Sequence, residues 1–462
     1  MSKQILVNAF YMASPAQAWT GLWAHPKAQG ERYNQLDFWI ELARTAERGL
    51  IDGIFLADTL SVNDVYQGKP DAVMRAGGMF PSNDPMMLIP AMAAATRHLC
   101  FGVTANTTYE PPYLLARRLS TLDQLTGGRL SWNVVTGILA SAARAMGVEP
   151  VPHDKRYDLA DDYMDLVYKL WEQSWDDDAA VRDKAARIFT DPARVRKIVH
   201  DGQYRCEGYH ACEPSPQRTP FIYAAGSSGR GTVFAGRHAE AAFTAANDKA
   251  SARRIVDSYR RAAQEAGRTA DSIKVFNAVT VIVAPTEAEA LDLKRQYADY
   301  SSVEGNLAMM SSFLGIDLSR YDPDDPIEYI ESNAMQSAVE AMTRYNGGRK
   351  VRVRDIAAFE DVPGREPFIV GSPGQVCDAM ISWIDDTGLD GFNLVRTAEP
   401  AGLQSFIDLV VPELQTRGRY KTGYAPGTMR EKMFPEGAAR LPADHPGAAF
   451  RHRRDAMPHE TA

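Results

Sequence analysis

The chain has 462 residues, 45% hydrophobic and 24% charged, ordinary proportions for a globular protein. Lys+Arg total 51 against 59 for Asp+Glu, a net charge of -8, which argues against a nucleic-acid binder, since that needs a basic face. Four cysteines (Cys100, Cys206, Cys212, Cys377) in so long a chain exclude a disulfide scaffold and point to a reducing compartment.

The N-terminus loosely imitates a signal peptide: Lys3, an apolar run over 5–13, then Ala16-Gln17-Ala18. Asn8 and Tyr11 interrupt that run and one positive charge precedes it, so it reads as a buried strand and the chain as cytoplasmic. Seven more short runs rich in Val, Ile, Phe and Thr follow, giving strands at 5–11, 53–57, 100–104, 130–136, 221–225, 241–245, 273–283 and 391–395. Amphipathic patterns separate or follow them at 36–49, 85–98, 113–125, 157–175, 231–238, 249–266, 373–387 and 403–417. The longest nearly apolar stretch, 86–95, is interrupted by Pro90 and falls well short of the roughly 18 residues of a membrane span.

Strands alternating with helices imply βα units and a parallel sheet. Eight of them predict a closed (β/α)8 TIM barrel, which takes about 250 residues. An open doubly wound sheet shares the alternation, but the strand count and the lack of a glycine fingerprint at strand one favour the barrel. The surplus length predicts a charged insertion at 176–219 without a strong strand and a longer one at 285–372, a plausible lid. A proline-rich tail at 420–462 reads as an extended arm.

A barrel active site lies at the C-terminal ends of the strands. There the sequence offers mainly small polar groups: Asp58 after strand two, Thr104 on strand three, Asn133 and Thr136 on strand four, and Ser227-Ser228 after strand five. These suit a large neutral heterocycle better than hydrolysis. Ala224-Ala225-Gly226-Ser227-Ser228-Gly229-Arg230-Gly231 leads straight into a helix. It reads either as a phosphate cradle for a mononucleotide or as a tight turn capped by Ser228. It matches neither G-x-G-x-x-G nor the P-loop pattern. His153 and Tyr157 share a helical face, as ligand contacts or as a loop histidine and half-buried tyrosine. Asp58 is costly to bury unpaired, unless it is an N-cap or a solvated loop acid. Cys206, His210 and Cys212, with His200 upstream, invite a zinc reading that their spacing rejects, so no metal is expected. Trp19, Trp23 and Trp39 read as core or interface anchors, Trp19 and Trp23 also as pocket walls.

Several stretches carry a family resemblance: Asn8-Ala9-Phe10, Gly53-Ile54-Phe55-Leu56-Ala57-Asp58, Ser120-Thr121-Leu122-Asp123-Gln124-Leu125-Thr126-Gly127-Gly128-Arg129, Trp132-Asn133-Val134-Val135-Thr136, Arg156-Tyr157-Asp158-Leu159-Ala160-Asp161-Asp162-Tyr163 and Cys212-Glu213-Pro214-Ser215-Pro216-Gln217-Arg218-Thr219-Pro220. Nearly the whole chain resembles the nitrilotriacetate monooxygenase family. That is a branch of the luciferase-like, FMN-dependent barrel enzymes, with relatives that act on EDTA, dibenzothiophene sulfone, dimethyl sulfide and long-chain alkanes.

The resemblance implies a two-component flavin monooxygenase. A separate NAD(P)H:flavin oxidoreductase would deliver reduced FMN, and O2 would be the co-substrate. It also implies Asp58 and Thr104 by the isoalloxazine ring, with Asn133 and Thr136 on the same wall. His153 and Tyr157 would reach the ribityl and phosphate end, and Ser227 and Ser228 would hold the phosphate. Dimers or tetramers are expected. Alkane-oxidising members carry a cysteine and a histidine where Ser14 and Gln17 stand, and a histidine where Ile138 stands. Met12-Ala13-Ser14-Pro15-Ala16-Gln17 is closer to the aminopolycarboxylate branch, so a nitrilotriacetate-like substrate is expected, with Lys69 and Arg75 as candidate cations or as solvated surface charges. An organosulfur or alkane substrate, a deazaflavin-dependent dehydrogenase and a non-catalytic flavin binder are the competing readings.

Overall fold

Eight of the apolar runs form parallel strands in a computed structural model, which describes residues 3–226, 228–328, 333–343, 350–358 and 365–451. The strands are β1 (Leu6–Met12), β2 (Gly53–Ala57), β3 (Cys100–Asn106), β4 (Leu130–Val135), β5 (Phe221–Ala224), β6 (Ala241–Thr244), β7 (Lys274–Val283) and β8 (Gly391–Val395). Each pairs with the next, and β8 pairs with both β7 and β1, so the sheet closes into a barrel. The strands are apolar on both faces because helices cover the outside and side chains fill the inside.

The filling is aromatic. Phe10 and Phe243 lie 4.9 Å apart, Phe55 and Tyr223 5.2 Å, and Tyr223 and Phe276 5.8 Å, centroid to centroid. Asn8 donates to the Tyr223 hydroxyl (3.2 Å) and to Asn393 Oδ1 (2.9 Å), so these buried polar groups are paired. This plug is the floor beneath the C-terminal mouth.

The helices follow local rules. Pro112–Thr126 opens on a proline and stops at Gly127, whose φ of 64° suits glycine. Helix His153–Tyr168 starts four residues earlier than the apolar pattern predicts. The pattern at 85–98 yields only a single 3-10 turn, Pro85–Leu88, and a short helix, Ile89–Ala94.

The insertion at 176–219, expected to lack strong strands, contains an antiparallel hairpin of Ile198–Asp201 and Arg205–Gly208. Its residues alternate in burial and carry charges on the open side, so no apolar run announced it. The insertion at 285–372 contributes helices Glu287–Asp299 and Val303–Leu314 and a strand, Phe368–Gly371, that extends β7. The segment read as an extended arm carries a helix, Met429–Met433, whose methionines pack on Phe221 and Phe276 at the barrel floor. Arg430 on that helix is buried against Glu240, with Nε–Oε1 at 2.5 Å. No helix among the described residues is long and apolar enough to cross a membrane.

Candidate active site

Two adjoining cavities open at the C-terminal mouth, of about 450 Å³ and about 200 Å³. Thr136, Tyr157, Gly226 and Met335 line both. The smaller one lies over β2, β3 and β4 and holds Asp58 and Thr104; the larger lies over β5 and β6 and holds His153 and Ser228.

At the small cavity β3 and β4 are in register at Thr104 and Asn133. Asn133 Nδ2 donates to Thr104 Oγ1 at 3.0 Å. Asn133 stands behind Thr104, buried, and its Oδ1 has no partner among the described residues. Leu60, Ile138, Leu139 and Ala142 supply the apolar wall. Asp58 ends β2 against this wall. Burial, then the negative charges of Asp84 and Glu110, push its acid up to about 7, against a single stabilising backbone N–H from Thr59.

At the large cavity Ser228 caps the helix Gly229–His238, its Oγ accepting from Gly231 N at 3.2 Å. The capped turn and the phosphate cradle are therefore compatible: the cap uses one lone pair and leaves the hydroxyl proton. His153 Nε2 lies 3.5 Å from Ser228 Oγ, while its Nδ1 meets Asp154 Oδ1 at 2.7 Å. The His153 and Tyr157 rings touch edge to face at 5.3 Å, as their four-residue spacing predicts. The Ser228 and Thr136 hydroxyls lie against the Tyr157 phenol, and burial raises the pKa of that phenol.

Bare backbone is required here. A Cβ on Gly226 would come within 2.7 Å of the Tyr157 hydroxyl, and one on Gly231 within 2.9 Å of Gly226 O. Arg230, in the same turn, points elsewhere. It pairs with Asp161 at 2.6 Å and Asp158 at 3.1 Å.

The cations that line this cavity are instead Arg156 and Arg254. Arg156 donates to Val151 O (3.0 Å) and Asn333 O (2.8 Å), and its buried Nε has no partner among the described residues. Burial holds its guanidinium below the usual arginine range. Sequence reasoning missed both arginines because each looks like a routine helix-surface charge. The one available signal was that Arg156 follows His153 by three residues, one turn along the same helix.

Seven of the eight expected site residues thus gather at the mouth; Ser227 lies outside the described residues. The other candidates scatter. Lys69 and Arg75 are exposed and paired with Asp71 (3.1 Å) and Glu304 (3.3 Å). Trp39 and Trp19 are buried, whereas Trp23 is 38% exposed. His210 meets Ser120 Oγ at 3.0 Å and His200 meets Asp162 at 3.1 Å, in separate places. Among the described residues no group of three His, Cys, Asp or Glu is arranged to hold a metal ion.

The site fits a flavin mononucleotide by its own chemistry. A helix N-terminus, a serine, a histidine and a half-satisfied arginine suit a phosphomonoester. A narrow slot with an apolar wall and the hydroxyl-bearing side chains of Thr104 and Thr136 suits a planar heterocycle.

A closed parallel barrel with its site at the strand ends defines a class of enzyme scaffold. Residues 17–391 match the family model for the luciferase-like monooxygenases, and the chain belongs to that family. It is 44% identical over 453 residues to a dimethyl-sulfide monooxygenase of Hyphomicrobium sulfonivorans, covering 98% of this chain and 94% of the relative. It is 45% identical over 454 residues to a long-chain alkane monooxygenase of Geobacillus thermodenitrificans, covering 98% and 99%. A crystal structure of a riboflavin lyase with modified FMN and riboflavin superposes with a TM-score of 0.91 at 37% identity, covering 98% and 100%.

The aminopolycarboxylate expectation finds no such support. The nitrilotriacetate monooxygenase component A of Aminobacter aminovorans is 33% identical over 429 residues, covering 89% of this chain and 93% of the relative. No lysine, arginine or histidine among the described residues lines the small cavity.

Proposed function

We propose that this chain is the oxygenase component of a two-component system. It takes reduced FMN from a separate NAD(P)H:flavin oxidoreductase and oxygenates a small, neutral organosulfur compound. The observation that carries this reading is the division of charge in the mouth: Arg156, Arg254, His153 and a helix start, with Glu340, line one end, and Asp58 without a lysine, arginine or histidine among the described residues lines the other. A phosphate tail and a planar ring have that same division. The neutral organosulfur substrate rests on the similarity to a dimethyl-sulfide monooxygenase, against the alkane-type cysteine and histidines that Ser14, Gln17 and Ile138 replace.

When bound, reduced FMN supplies the electrons that activate O2, so that one oxygen atom enters the substrate and the other leaves as water. The chain's own residues bind and orient. Ser228, His153 and the backbone N–H groups of the helix start hold the phosphate, assisted by Arg156. Tyr157 and Thr136 stand at the junction and set the depth of the ribityl chain. Thr104, held by Asn133 behind it, presents its hydroxyl to the ring, and Asp58 faces its edge. Leu60, Ile138, Leu139 and Met335 keep water from the reacting face. Met335 belongs to the 285–372 insertion, which serves as the lid.

The test is a coupled assay with a generic flavin reductase, NADH and FMN against a panel of dialkyl sulfides, sulfones, alkanes and aminopolycarboxylates. Sulfide-dependent product with little free peroxide supports the proposal. Product formed without reduced FMN would overturn the cofactor, and turnover of aminopolycarboxylates alone would overturn the substrate class.

A further inference from the structure

Asp58 stands in an unusual setting for an aspartate. It ends β2 inside the small cavity, half-buried, with Leu60, Leu139 and Ala142 in the same wall. The charged groups that face it are both acids: Asp84, from the loop before the turn Pro85–Leu88, and Glu110, from the loop after β3. The cations on the adjacent elements are already engaged. Arg118 pairs with Glu110 at 3.0 Å, and Arg144, on the helix Ala140–Ala145, pairs with Asp64. Among the described residues Asp58 makes no ion pair, and no lysine, arginine or histidine lines its cavity. An isolated carboxylate in such a place is disfavoured, and the group keeps its proton instead.

We propose that Asp58 works as a neutral carboxylic acid, whose O–H donates a hydrogen bond to an acceptor on the edge of the bound flavin ring. This rests on the flavin reading of the site and adds the protonation state on which that site depends. A neutral donor matches a ring edge rich in carbonyl and imine acceptors. An ionised one would only repel a reduced flavin, which itself carries negative charge. Asp84 and Glu110 then act as positioning charges: they hold the proton on Asp58 without touching the ligand. The acid's midpoint of about 7 makes the site sensitive to pH in the neutral range.

The experiment measures FMN affinity by fluorescence quenching from pH 6.5 to 8.5, where the phosphate is already mostly dianionic. Wild type, Asp58→Asn and Asp58→Ala are compared, and the protonated-carboxyl infrared band is recorded for the ligand-free proteins. Wild-type affinity should fall about tenfold over that range, the worth of one lost hydrogen bond near charge. Asp58→Asn, a neutral isostere with an N–H donor, should bind at the wild-type level of pH 6.5 and be flat with pH. Asp58→Ala should be weak and flat. A carboxyl band at pH 6.5 that disappears in Asp58→Asn supports the proposal.

A pH-independent wild type, with Asp58→Asn as weak as Asp58→Ala, would overturn it, as would the absence of the band. If FMN fails to bind wild type at any pH, the flavin reading fails instead. The infrared band still reports the state of Asp58 in that case, so the two failures separate.

Discussion

The two ends of the mouth share a largely apolar lining and differ in their charged groups. Over β5 and β6 the chain offers hydroxyls, the start of the helix Gly229–His238 and the guanidinium groups of Arg156 and Arg254. Over β2 to β4 it offers Leu60, Ile138, Leu139 and a carboxyl crowded by other carboxyls. The first end attracts an anion and the second repels one. A ligand with a phosphate at one end and a flat heterocycle at the other therefore has one direction of entry. That difference teaches more than either end alone, because a helix N-terminus or an apolar slot by itself is common.

The largest test of this contrast removes the bare backbone at the anionic end. In Gly226→Val the added carbons enter the space of the Tyr157 hydroxyl, 2.7 Å from the first of them. FMN affinity should fall by at least about 100-fold, a few kcal/mol of overpacking and lost contacts, as measured by equilibrium dialysis. Ser228→Ala is next. It removes a cap and a phosphate donor, so FMN should bind about tenfold more weakly while riboflavin, which lacks the phosphate, binds as before. Thermal stability should drop by about 1 kcal/mol through the lost cap. Equal losses for FMN and riboflavin would erase the distinction between the two ends.

The smallest effect sharpens the other end. Burial raises the pKa of Asp58 in the folded state, so the folded state holds its proton where the unfolded chain releases it. Stability is then highest at low pH from this group, falls from about pH 4 to about 7, and is level above that. Asp58→Asn should leave the melting temperature unchanged near pH 4 and raise it by about 1 °C at pH 8, an increment of about 1 kcal/mol for a chain of 462 residues. A melting curve that rises equally at both pH values would show that Asp58 acts through packing and not through its charge.

The barrel was readable from the sequence because all eight strands are short, apolar and separated by helical patterns, and the observed bounds lie within a few residues of the expected ones. The hairpin Ile198–Asp201 and Arg205–Gly208 was not, because half-exposed strands with charged faces carry no apolar run. Met429–Met433 hid for a related reason: five residues make too short a helix for periodicity to reveal.

At the site, Asp58, Thr104, Thr136 and Ser228, which line the mouth, were legible because barrel sites collect at strand ends, and His153 and Tyr157 through their shared helical face and the family resemblance. Arg156 and Arg254 were not. Their helices place them on the cavity side only once the next βα unit has packed. The expected aminopolycarboxylate substrate rested on a short loop match and finds no support in the relatives of 44% and 45% identity, which are named for dimethyl sulfide and long-chain alkanes. Ser14 is in fact buried on Ala16 O at 2.9 Å and lines neither cavity.

The most direct test of the central claim is a crystal structure of the protein soaked with FMN. The account predicts the phosphate against Ser228, His153 and the start of the Gly229–His238 helix, with the ring edge at Asp58 and Thr104. A phosphate seated at Asp58, or a flavin bound outside the mouth altogether, would contradict it.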